Sequence, residues 1–175
     1  MLKRFPPSKS IIPVFAVIVF MIYAWTIVHF LWALPSLFYY LNLGEILAVL
    51  SYRILVDLVE SLAMIGVLLV ASFVLPPRIL RDAFIARGVA ASAILIGSVM
   101  LFWDRFTAVG LSLANYAPLW LVVTLGATLG LSFLAAKVRF LSAGLEFLSD
   151  RFIVFLYILM PLTALALVDV LVRNL

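Results

Sequence analysis

GEILAVLSYRILVDLVESLAMIGVLLVASFVL, residues 44–75, is one long apolar run stopped by Pro76 and Pro77. A helix that spans a bilayer needs about 20 largely apolar residues, and this run exceeds that. In its middle, SYRILVDLVES (51–61) carries Arg53, Asp57 and Glu60. Water-facing helices carry such charges freely. This chain is 67% hydrophobic and 11% charged, with a mean hydropathy of +1.32, whereas a soluble domain carries about 25% charged residues. Its polar surface is too small to cover a water-soluble fold. The expected class is an all-α, polytopic integral membrane protein.

Four further segments read the same way, which gives a bundle of about five transmembrane helices in one domain, 1–175. The expected spans are 11–34, 44–75, 88–103, 117–136 and 152–172. Pro13 falls in a first turn, where proline is tolerated, and Pro161 predicts a kink inside the fifth span. The basic N-terminus before an apolar stretch resembles the start of a signal peptide. The stretch is too long for a signal core, so it reads as a retained first span. No internal repeat is visible.

Lys and Arg give the orientation. With the N-terminus inside, Lys3, Arg4, Lys9, Arg78, Arg81, Arg87, Lys137, Arg139 and Arg151 share one face, nine of the chain's 12 basic residues. Arg53, Arg105 and Arg173 take the other. The expectation is N-terminus in, C-terminus out, in a bacterial-type plasma membrane. The connector at about 137–150, KVRFLSAGLEFLSD, places Val138, Leu141, Leu145 and Leu148 at helical spacing and predicts an amphipathic helix on the inner surface. PPRILRDAFIARG is a weaker version. Tyr39, Tyr40, Trp103, Tyr116 and Trp120 fit an interfacial aromatic belt. The pI near 9.7 follows from the basic inner segments, which suit anionic lipid headgroups at the cytoplasmic face; no nucleic-acid module is visible.

Depth along each helix follows from its 1.5 Å rise. Counting from Leu75, Glu60 lies roughly 22 Å up, Asp57 roughly 27 Å and Arg53 roughly 33 Å. The three fall within about 60° of one another. His29 lies roughly 27 Å from Ile11, and Asp169 roughly 26 Å from Phe152. Asp104 and Arg105 close the third span on the same side, and Arg173 closes the fifth. The candidate binding residues are therefore Arg53, Asp57, Glu60, Asp104, Arg105, Asp169 and Arg173, with His29 at the same depth. A polar site, if built, opens outward.

Much of this belt has an ordinary explanation. Arg53–Asp57 and Asp169–Arg173 are i, i+4 pairs of the helix-stabilising kind. Glu60 fits worst: it is the deepest acid, and its nearest neighbour on the helix, Asp57, has the same charge. Arg53 and Arg105 are its expected partners. His29 stands among Trp25, Phe30 and Trp32 and reads as interfacial packing. A metal set of His29, Asp57, Glu60 and Asp169 lacks any ligand spacing, so no metal and no cofactor are expected. With no cysteine in the chain, thiol chemistry is out. No phosphate loop, HExxH or G-x-S-x-G is present. Gly126-Ala-Thr-Leu-Gly130 is a G-x-x-x-G, expected to pack within the chain.

These readings favour a membrane-embedded accessory or structural subunit whose outer polar belt meets a protein partner, a second copy or a lipid headgroup. One alternative is a small oligomeric transporter or channel. Another is an intramembrane enzyme acting from the outer side on a lipid-linked substrate. In it Glu60 or Asp57 is the base, His29 a proton-transfer group, and Arg53 or Arg105 an anion clamp.

Overall fold

The computed structural model describes residues 6–76, 80, 83–109 and 113–175, the side chains of 106–109 and 113–114 excepted. Lys3, Arg4, Arg78 and Arg81, used above for orientation, lie outside the described residues. The fold is all-α: α1 (Ser8–Leu37), α2 (Leu43–Val74), α3 (Phe84–Val109), α4 (Leu113–Lys137) and α5 (Arg139–Asn174). All five are long and apolar enough to cross a membrane.

The helices outrun the expected spans because nothing in their polar ends stops them. Polar side chains near a terminus do not break the backbone ladder; only a changed backbone does. The start of α2 is fixed by a reciprocal cap. Asn42 Oδ1 accepts from Glu45 N at 3.0 Å, and Asn42 N donates to Glu45 Oε2 at 2.8 Å, so two orphan donors are satisfied. Between α4 and α5 the only residue outside a helix is Val138, extended at φ −89°, ψ 107°. Residues 139–150, expected as a separate surface helix, are instead the first turns of one 36-residue α5, roughly 54 Å long.

Most of the apolar stripe of this segment, Val138, Leu141 and Leu148, faces outward. Leu141 and Leu148 are 45% and 51% exposed, whereas Ser149 is fully buried. Small residues such as Ser149 permit close helix approach.

The central element is α1, which packs on α2, α3 and α5. One cluster joins Val14, Ile18, Ile65, Leu68, Phe84 and Val89. A second joins Val19, Tyr23, Ile54, Leu159 and Ala166. Tyr23, fully buried, meets Thr163 with its hydroxyl at 2.7 Å. Thr163 spends its own proton on the Leu159 carbonyl at 2.8 Å, so Tyr23 is the donor. α4 packs mainly on α3, through a buried stripe of Thr124, Thr128, Ser132 and Ala135. Gly126 and Gly130 have open space where a Cβ would stand and are exposed. The G-x-x-x-G therefore does not pack within the chain, contrary to expectation. The close approach is at Gly88 instead, where a Cβ would meet both Val14 methyls at 3.2 Å.

Gly88→Leu should therefore force α1 and α3 apart and lower the unfolding free energy by about 1–3 kcal/mol, read by equilibrium unfolding in mixed micelles. Adding Val14→Ala should recover part of the loss; equal loss in the double variant would show that this crossing is not the tight point.

Candidate functional site

The second and third helices both lean on α1, yet they are not among the helix pairs that pack together. The gap between them is a cleft of about 970 Å³ with α1 as its floor and α4 on the far rim. Its edges are open: Val56 of α2 and Val99 of α3 line it and are 54% and 53% exposed. The volume lies at the upper end of the range for small-molecule sites, about 300–1,000 Å³.

The charged stripe of α2 runs along one wall. Arg53, Asp57 and Glu60 all line the cleft, but they are not alike. Arg53 and Glu60 are exposed, while Asp57 is only 4% exposed. Asp57 stands at one end of the stripe's roughly 60° arc and turns inward toward α1, while Arg53 and Glu60, about 20° apart, stand at the edge. Thr26 of α1 donates to Asp57 Oδ1 at 2.7 Å. Asp57 Oδ2 is buried with no hydrogen-bond partner among the described residues. An unpaired carboxylate oxygen in a water-poor setting is costly, so this atom is the least satisfied feature of the wall.

One turn nearer the C-terminal end of α1 stands His29. Its Nδ1 is 3.0 Å from the Trp25 carbonyl. A carbonyl only accepts, so Nδ1 carries the proton in that contact. Its Nε2 then faces Asp104 Oδ1 of α3 at 3.6 Å, an ion-pair distance but too long for a hydrogen bond. Trp25 stacks tilted on the His29 ring at 4.0 Å between centroids. On the far rim Trp120 rests against Phe102 at 4.6 Å, with its indole N–H buried and unpartnered among the described residues.

The outer belt thus divides in two. His29, Arg53, Asp57, Glu60 and Asp104 gather on or beside the cleft. Arg105 follows Asp104 on α3, exposed, and is not among the lining residues. Asp169 and Arg173 stand apart, where α5 meets α2. Arg173 Nε donates to Asp169 Oδ1 at 2.9 Å, and its Nη2 donates to the Gly44 carbonyl at 2.9 Å. Asn174 reaches the Tyr52 hydroxyl at 2.6 Å. This second group ties two helix ends together.

Of the two expected i, i+4 pairs, Asp169–Arg173 forms and Arg53–Asp57 does not: no ion pair within 4 Å joins them. Glu60 meets neither Arg53 nor Arg105 within that distance. Among the described residues no group of three His, Asp or Glu side chains is placed to hold a metal ion. Thr26, Trp25, Ser98 and Thr124 line the cleft and were not singled out in the sequence. Thr26 shares a helical stripe with Ile22, His29 and Ala33, the spacing that would have found it.

Thr26→Val, which removes the one donor to Asp57, should destabilise the protein by about 1–3 kcal/mol. Asp57→Leu in the Thr26→Val background should restore most of that loss in the same unfolding measurement. Two additive losses would show that the two side chains are not coupled.

No family model, curated protein or solved structure matches this chain, so its function has to be argued from the cleft itself.

Proposed function

We propose that the chain is a multi-pass protein of a bacterial-type plasma membrane, with its N-terminus in the cytoplasm and its C-terminus outside. In this reading it is a membrane-embedded accessory subunit of a larger assembly, and the cleft between α2 and α3 is its outward-facing polar site. The observation that carries the proposal is the state of the cleft charges. Arg53 and Glu60 are exposed without ion-pair partners among the described residues, beside a buried Asp57 with one unpartnered oxygen. Ionisable groups within a span mark a site or a structural pair, and here the internal pair is not made. The basic residues support the orientation, since nine of 12 fall on one face. The broad apolar exterior of α4, with Leu119, Val122 and Val123 between 60% and 67% exposed, suits lipid or a neighbouring helix.

The chain has no cysteine, so a single introduced thiol reports topology directly. A membrane-impermeant maleimide should label Leu175→Cys in intact cells, and should label Ser8→Cys only after lysis; the reverse pattern would invert the orientation.

Native mass spectrometry of gently solubilised protein should show a stoichiometric protein partner. That partner should be weakened in the Arg53→Gln/Glu60→Gln double variant. A chain that runs alone would remove the accessory-subunit reading.

A further inference from the structure

We infer that the α2/α3 cleft binds a zwitterionic amphiphile whose ammonium, bearing N–H groups, sits on Asp57 and Glu60 and whose anionic group sits on Arg53. The inference rests on reading the cleft as a membrane-embedded site, and it adds the chemistry of the occupant. Four groups of the cleft lack a partner among the described residues, two of each kind. Asp57 Oδ2 is an acceptor without a donor, on a side chain 4% exposed. Glu60 is a second acceptor one turn further along the helix, without an ion pair. Arg53 is a cation with no carboxylate within 4 Å, and Trp120 has an indole N–H without an acceptor.

A ligand that answers all four must bring both donors and acceptors. A purely anionic amphiphile would satisfy Arg53 and Trp120 but stand against two carboxylates. A purely cationic one would leave Arg53 and Trp120 unanswered. A quaternary ammonium has the right charge but no N–H to give Asp57 Oδ2. The remaining class is a primary ammonium carried close to a phosphate on an apolar body. Arg53 and Asp57 are one helical turn apart, roughly 6 Å along the axis, which suits a short link between opposite charges. Charge-assisted hydrogen bonds are the stronger kind, and the aromatic wall of Trp25 and Trp103 offers faces that attract an ammonium. Below the charges the lining turns apolar, with Ile22, Met64 and Ile96, which suits an acyl chain.

Delipidated protein can be offered equal amounts of phosphatidylethanolamine, phosphatidylcholine and phosphatidylglycerol with matched chains, and the retained lipid read by native mass spectrometry. Phosphatidylethanolamine should be retained about tenfold over both others, the worth of one charge-assisted hydrogen bond. Asp57→Asn should abolish the preference. Glu60→Gln, at an exposed position that folding does not depend on, should reduce it, and Arg53→Gln should lower retention of all three lipids. Soluble glycerophosphoethanolamine then separates the sources. Displacement of bound lipid identifies the headgroup chemistry alone as sufficient; no displacement identifies a bilayer lipid as the occupant. Equal retention of phosphatidylcholine, preference for phosphatidylglycerol, or a preference that survives both acidic variants would overturn the inference. None of these results depends on a protein partner, so this test and that of the accessory-subunit reading fail separately.

Discussion

A helix in hydrocarbon satisfies its own backbone, so what has to be accounted for is each polar side chain. Most of the buried hydroxyls here solve the problem locally. Ser61, Ser92, Thr128 and Ser149 each donate to a carbonyl three or four residues back on their own helix. They can then lie in helix contacts as small residues without seeking a partner. Thr163 does the same and also accepts from Tyr23, which converts a local solution into a bond between α1 and α5. Asp57 also needs help from another helix, and Thr26 supplies it for only one of two oxygens. The polar character of the cleft wall follows from that half-met demand.

The ends of the bundle are held by different chemistry from its middle. Near the C-terminus of α5, Arg173 spans Asp169 on its own helix and the Gly44 carbonyl at the start of α2, while the reciprocal cap of Asn42 and Glu45 sets that start. These bonds fix where α2 begins, and hence the height at which Arg53, Asp57 and Glu60 stand. The opposite part of the core is almost wholly apolar, with Val14 seated against Gly88. Between a tight lower crossing and a tied outer end lies the gap between α2 and α3.

The sequence disclosed the helices well and their facing poorly. Run length gave the helices, and the rise per residue gathered His29, Arg53, Asp57 and Glu60 toward the same end of the bundle. Their convergence on a cleft and the separation of Asp169 and Arg173 from it depend on how helices are arranged around α1, which no single-helix period records. The glycine pair of α4 failed as an internal packing motif, and residues 139–150 proved continuous with α5. In water a stripe of leucines or glycines points to the interior, but against lipid the leucines of α5 and the glycines of α4 lie comfortably outside. Thr26 went unseen because an uncharged hydroxyl in an apolar helix looks like any other until its partner is known.

The aromatic lining of the cleft has an optical consequence. Trp25, Trp103 and Trp120 border it, leaving Trp32, 77% exposed, as the only one of the chain's four tryptophans elsewhere. The protein's ultraviolet emission therefore comes mainly from the walls of one chamber. Trp25 lies against the His29 ring at 4.0 Å. Intensity and colour will follow the hydration and occupancy of that chamber without any attached dye. The molecule carries its own spectroscopic gauge in the region where its chemistry is concentrated.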